Sequence, residues 1–258
     1  MEVAQTTGAN REGRPQLAGL FARFEKHPVA AAVLIVLADM ALVILVTLAA
    51  QRLIPAAQPD FIALCVATVV VAAALTLLGW WRTAGFNRPA AWRSLYLLWL
   101  PAVVTIVLPL LIGARAIEPA TAAYLVFAYV LVGLREEALY RGIILRVLRP
   151  AGALRAVILS AALFGVAHSA NLLVRSNPLI VLAQMVGAFC FGLAYAALRL
   201  RTNTIWFLVA LHALHDLLLR FSLFPLIPLD VVQDVILLLY AIYLLRDRRA
   251  LEPAQSSR

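Results

Sequence analysis

Charge is scarce in this chain. Of 258 residues, 14% are charged and 64% are hydrophobic, whereas ordinary soluble domains are about a quarter charged and half apolar. With a mean hydropathy of +0.93, little of the length is left for a water-soluble domain. Cysteine is almost missing: Cys65 and Cys190 are the two. Both lie inside apolar runs, which excludes a disulfide scaffold or a thiolate metal centre and leaves two small core residues. The sequence has no Gly-rich phosphate loop, no HExxH, no internal repeat and no low-complexity tract. The net charge of +9 is scattered between apolar runs instead of being gathered in a patch. That pattern argues against a nucleic-acid partner and for the lipid bilayer.

What is present is a succession of apolar runs, at about 29–50, 61–81, 95–113, 119–147, 153–172, 178–199, 203–221 and 229–245. Each approaches the roughly 20 residues that cross the hydrocarbon. The expected fold class is all-α, a polytopic membrane protein with about eight transmembrane helices around a polar intramembrane cavity. Trp80 and Trp81 close the second run at an expected interfacial belt, and residues 82–93 read as an interfacial connector. Residues 1–27 are expected to be a polar cytoplasmic tail whose Phe21 to Phe24 stretch touches the membrane surface. The first run is too long and too far from Met1 for a cleavable signal. The division expected is therefore a tail (1–27), three N-terminal helices with their connector (28–118), a core (119–221), and a last helix with a cytoplasmic tail (222–258).

Charge tests this order of spans. With the N-terminus in the cytoplasm, sixteen basic residues fall on the cytoplasmic side: Arg11, Arg14, Arg23, Lys26, Arg82, Arg88, Arg93, Arg146, Arg149, Arg155, Arg199, Arg201, Arg246, Arg248, Arg249 and Arg258. Four fall opposite: Arg52, Arg115, Arg175 and Arg220. Both termini are accordingly expected in the cytoplasm, and the protein in the cell's plasma membrane. In the sixth run, Ala183-xxx-Gly187 and Ala188-xxx-Gly192 are small-xxx-small patterns whose ordinary use is close helix packing.

The fourth run ends in Leu134-Arg135-Glu136-Glu137-Ala138-Leu139-Tyr140-Arg141. A carboxylate at membrane depth is a functional-site hypothesis by default. Glu137 and Arg141 are four apart and can pair on a helix. Glu136 points about 100° away and needs partners from other helices. Two later runs offer them: Phe164-Gly165-Val166-Ala167-His168, and His212-Ala213-Leu214-His215-Asp216. His212 and Asp216 share a helix face, so the carboxylate could orient the ring. Singly, each has an ordinary reading: a histidine packed near a helix end, or an interhelical hydrogen-bond cluster worth about 1 kcal/mol per contact. Jointly they suit water activation, with Glu136 as general base and His168 and His212 holding the water or an oxyanion. Metal-assisted hydrolysis, with His168, His212 and Glu136 as ligands of an ion such as zinc, stays open beside a metal-free route. Measured from the cytoplasmic ends, Glu136 and His212 lie about 15 Å along their helices and His168 about 20 Å, a mismatch in depth.

Glu136-Glu137-xxx-Arg141, then Phe164-xxx-His168, then His212-xxx-Asp216 resemble the EExxxR, FxxxH and HxxxN/D motifs of the CAAX prenyl endopeptidase and bacteriocin-processing family. These are intramembrane proteases also called lysostaphin-resistance-A-like or abortive-infection proteins. The resemblance covers about Tyr124 to Leu218. It implies eight helices and a conical cavity open to the cytoplasm, Glu136 as the water-activating residue, and His168 and His212 as water or oxyanion partners. Glu137 and Arg141 are implied as support, with Asp216 standing where Asn is common. The implied activity is endopeptidase cleavage of a membrane-associated or lipidated peptide or protein near the cytoplasmic side; oligomeric state is not implied. Two other classes compete. A non-catalytic immunity or scaffold protein would use the polar cluster only to lock helices. A proton-coupled transporter could relay protons through such groups, but no second half with matching broken helices is visible.

Overall fold

The computed structural model describes residues 26–54, 58–173, 175–247 and Leu251. Most of the expected N-terminal tail, including the Phe21 to Phe24 stretch, and most of the charged C-terminal tail lie outside the described residues. The described chain is a bundle of long helices: α1 (Pro28–Leu53), α2 (Pro59–Leu78), α3 (Trp92–Leu110), α4 (Pro119–Glu136, running on without a break to residue 148), α5 (Ala153–Ala167), α6 (Pro178–Thr202), α7 (Trp206–Phe221) and α8 (Leu226–Arg246).

Local chemistry sets the ends. Proline occupies the first turn of α1, α2, α4 and α6, where its missing N–H would be unpaired anyway and its φ is already helical. Glu118 caps α4, accepting from the Ala120 and Thr121 amides at 2.8 Å each, and Asn177 caps α6. α2 stops at Gly79, in the left-handed region at φ 64°, the usual helix-ending conformation. The connector expected over 82–93 holds a one-turn helix, Trp81–Ala84, ending at Gly85. The buried Arg199 of α6 pins that turn by donating to the Ala84 and Thr83 carbonyls at 3.1 Å each.

Six of the helices are long and apolar enough to cross a membrane: α1, α2, α3, α5 with its following turn, α6 and α8. The chain is an all-α polytopic membrane protein. α4 and α7 are not among the six. α4 has its apolar stretch closed by Arg135 and Glu136, and α7 has 16 residues with His212, His215 and Asp216 inside them. The two helices that fall short are those that carry most of the polar constellation.

α6 is the hub, packed against α5 and α8, while α4 packs against α7 and α2. Small residues make the approaches close. A side-chain carbon on Gly133 of α4 would sit 2.8 Å from the Val209 carbonyl oxygen of α7. One on Gly192 of α6 would meet Ala161 of α5 at 3.1 Å. Without a hydrophobic drive in lipid, such backbone contact is what holds helices together.

The connectors pair in a fixed way. The α2–α3 connector meets the α6–α7 connector, with Ile205 N to Gly85 O at 2.9 Å and Thr204 Oγ1 to Asn87 O at 2.9 Å. The α4–α5 connector meets the chain beyond α8 through Arg149 and the Leu251 carbonyl at 3.0 Å. At the opposite end, Ala114 bridges Ser222 and so joins the α3–α4 and α7–α8 connectors. Each meeting joins connectors separated by four helices, as strict up-and-down alternation requires. One end of the bundle therefore gathers the α2–α3, α4–α5 and α6–α7 connectors. These are the arginine-rich ones.

Burial is uneven along the bundle. In α4 every residue from Glu137 to Leu145 is buried, and in α6 every residue from Cys190 to Arg199. Both segments lie toward the arginine-rich end. The other halves of α4 and α6 are largely intermediate or exposed. The most densely buried part of the core thus lies toward the arginine-rich end.

Candidate active site

α4 changes its winding where the carboxylates stand. From Glu137 to Ile144 its hydrogen bonds follow the wider π pattern, a feature often found at functional sites. The turn leaves Glu137 and Arg141 paired at 3.0 Å with side chains 0% and 1% exposed. The Arg141 guanidinium carbon also lies 4.4 Å from the centre of the Phe164 ring, with Phe191 and Tyr195 behind it at 5.7 and 5.8 Å. A cation buried this far is held by one carboxylate and a wall of aromatic faces.

Glu137 makes a second contact. His212 of α7 places Nδ1 2.8 Å from Glu137 Oε1. The ring's other nitrogen, Nε2, is 3.7 Å from Glu136 Oε2 and 3.8 Å from Asp216 Oδ2. The sequence suggested that Asp216 could orient His212. Asp216 stands at ion-pair distance, beyond direct hydrogen-bond length, and Glu137 makes the short contact. The helical spacing was right, but the partner on a neighbouring helix lies closer than the one a turn along.

His168 stands just past α5, at the start of a tight turn, His168–Leu173. Its Nδ1 donates to the Phe164 carbonyl at 2.8 Å, and among the described residues Nε2 has no hydrogen-bond partner. Phe164 packs edge-on to His168 and to His212, centroids 4.9 and 6.2 Å apart. It is the aromatic neighbour that the two imidazoles share.

Glu136, His168, His212 and Asp216 all line one cavity of about 410 Å³. Glu137 and Arg141 stand behind it as a buried pair. Further lining groups have no counterpart in the sequence reading of the site. Asp39 of α1 accepts a short hydrogen bond from Arg135, and Arg135 Nη1 is also 3.5 Å from Glu136 Oε1. Asn171 donates to Gln184 at 2.7 Å, and exposed Arg175 completes the rim. Asp39 carried a readable signal, since it is the sole carboxylate within α1 and an acid at membrane depth asks for a role. A second, smaller and mostly apolar crevice of about 260 Å³ reaches Glu136 and Arg135 from between α1, α2 and α4. His215 packs on Phe191 at 5.2 Å between ring centres and does not line the cavity.

Metal-ligand candidates are His168, His212 and Glu136. They share the cavity, but among the described residues no three His, Cys, Asp or Glu side chains converge as ligands. The arrangement therefore does not fit a resident ion as it stands.

Residues 118–218 match the model of a family described as type II CAAX prenyl endopeptidase, Rce1-like. Across that segment the chain is similar to the CAAX prenyl endopeptidase family. The family segment runs from the cap of α4 to the end of the polar stretch of α7, so it contains all six residues singled out above. Asp39 lies outside it, on a helix that the family match does not reach. No curated protein and no solved structure matches the chain.

Proposed function

We propose that the protein is an intramembrane endopeptidase that hydrolyses a peptide bond of a membrane-associated peptide or protein. The observation that carries this reading is the meeting of Glu136, His168 and His212 on one cavity, inside a segment of a protease family. Glu136 is the group placed for chemistry. Its two oxygens face Arg135 and His212 at 3.5 and 3.7 Å, too long for tight hydrogen bonds, so its lone pairs are available to a water.

In the proposed reaction Glu136 takes a proton from that water. The oxygen bonds to the carbonyl carbon of the substrate. His212 and His168 line the path on which the oxyanion forms; a doubly protonated imidazole donates to it from Nε2, its Nδ1–H remaining on Glu137 for His212 and on the Phe164 carbonyl for His168. The carbon–nitrogen bond then breaks, and the proton held by Glu136 passes to the leaving amine. Glu137 and Arg141 hold the ring of His212 in place from behind.

The proposed setting is the plasma membrane, with eight spans and both termini in the cytoplasm, on the strength of the arginine distribution. The test is cleavage of a membrane peptide pool by purified wild type against Glu136→Gln. Products with wild type alone support the reading. Identical product profiles from the two proteins overturn it.

A further inference from the structure

The cavity wall carries two amides that the proposed reaction does not use. Asn171 and Gln184 both line it, and Asn171 Nδ2 donates to Gln184 Oε1 at 2.7 Å. Resting on the peptidase reading, we infer that this amide pair is a clamp for the substrate's main chain, and that the segment to be cut lies extended beside His168.

Winding places the first amide. Residues His168–Leu173 form a 3₁₀ turn, in which side chains three apart eclipse one another. Asn171 follows His168 by three, so it shares a face of the turn with the imidazole. The Arg175 amide donates to the Asn171 carbonyl at 2.9 Å and ties down the end of the turn.

Packing places the second. Gln184 comes from the second turn of α6. Its neighbour Met185 fixes its height: a side-chain carbon on Gly165 of α5 would sit 2.7 Å from the Met185 carbonyl oxygen and 3.3 Å from Phe189 Cβ. α5 and α6 are thus in backbone contact just before His168. One close-packed junction carries both amides and the imidazole.

Bonded to each other, the amides keep part of their capacity. A carboxamide has two N–H donors and a carbonyl oxygen with two lone pairs. Among the described residues Asn171 Oδ1 and Gln184 Nε2 bond to nothing else, and neither is sealed inside the protein. One acceptor beside one donor matches the N–H and C=O that a residue of an extended strand presents to its neighbour. A helical segment keeps those groups bonded within itself and offers neither. The clamp therefore takes unwound peptide and reads its backbone, whatever the side chains. Successive residues of an extended chain advance about 3.3 Å, so the residue held here sets which peptide bond lies against Glu136.

The experiment uses the full-length protein and a synthetic peptide spanning a cut that wild type makes and Glu136→Gln does not. In a series of analogues, each backbone N–H within about four residues of that cut, the scissile one excepted, is replaced by an ester oxygen. For wild type, one replacement should lower kcat/KM by at least about tenfold, since it deprives a buried acceptor of its donor. For Asn171→Ala the same replacement should cost less than about threefold, because that acceptor is already gone. Gln184→Glu keeps an oxygen for the Asn171 donor, so it should retain the ester effect while its kcat/KM on the all-amide peptide falls. Each ester effect is a ratio within one variant, so a smaller folded fraction does not alter it, and a mere tie between the turn and α6 would leave it unmoved. If no replacement reaches tenfold in wild type, or if Asn171→Ala shows the wild-type ratio, the clamp is overturned and the peptidase reading stands. Identical products from wild type and Glu136→Gln overturn the peptidase reading itself.

Discussion

Glu137 holds two partners with one oxygen: Oε1 lies 2.8 Å from His212 Nδ1 and 3.0 Å from Arg141 Nη1. It links the π turn of α4 to α7, and it does so fully buried. Removing its charge leaves a buried guanidinium with only aromatic faces. Glu137→Gln should therefore destabilise the protein by about 3–5 kcal/mol, read as a lower melting temperature in detergent. Asp216→Asn, which loses no contact shorter than 3.8 Å, should change stability by less than about 1 kcal/mol. Equal destabilisation by the two would mean that Asp216 holds the ring after all.

Gly133 sets the distance between the helices that carry the carboxylates and His212. It lies one turn before Glu136 and Glu137, and its partner Val209 lies one turn before His212. A methyl group there would meet the Val209 oxygen at 2.8 Å and the Ala213 nitrogen at 3.1 Å, both backbone atoms that cannot swing aside. Gly133→Ala should cost about 1–3 kcal/mol of stability. It should also lower kcat by more than KM changes, because the 3.7 Å gap between Glu136 and His212 widens with the helices. A variant with wild-type stability and rate would show that α4 and α7 have slack.

Much of this was legible in the chain, for a physical reason. In a sequence this apolar, charge at depth stands out, so Glu136, Glu137, Arg141, His168, His212 and Asp216 could be named from their spacing. The Glu137–Arg141 pairing follows from helical geometry alone. What spacing cannot show is which helices are neighbours. Arg135 finds Asp39 across 96 residues, and His212 finds Glu137 across 75.

Glu118 offers a test by pH. Its two oxygens accept from the Ala120 and Thr121 amides, which hold the carboxyl below its usual value of 4.5. Folding thus favours the ionised form. The stability contributed is complete above 4.5 and is lost as pH falls through the lower folded value. The melting temperature of wild type should exceed that of Glu118→Ala at neutral pH, and the gap should close in acid. A gap that stayed constant down to strongly acidic pH would show that the capping charge is not what matters.

Asp39 keeps Arg135 off Glu136. Arg135 is bound to Asp39 and stands 3.5 Å from Glu136 Oε1. With Asp39→Asn the guanidinium loses its stronger partner and closes on Glu136, occupying lone pairs that would take a proton from water. The expected result is a fall in kcat of about tenfold, or ~1.4 kcal/mol, with KM little changed and with recovery in Asp39→Glu. A rise in KM at constant kcat would instead make the pair part of the binding wall, since it too lines the cavity.

Chelation separates two chemistries at the same residues. A carboxylate behind an imidazole, as Glu137 is behind His212, serves a metal ligand and a metal-free imidazole alike. That contact does not choose. An ion such as zinc needs three or four donors within about 2.0–2.3 Å of one point. Among the described residues no three candidate donors meet that way. Phe164 packs edge-on to both His168 and His212, and Glu136 is shared with Arg135. Cleavage by the purified protein is therefore expected to survive dialysis against a strong chelator with its rate unchanged within about twofold, under 0.5 kcal/mol. Loss of activity that zinc alone restores would mean that the cavity closes around an ion, drawing His168, His212 and Glu136 together.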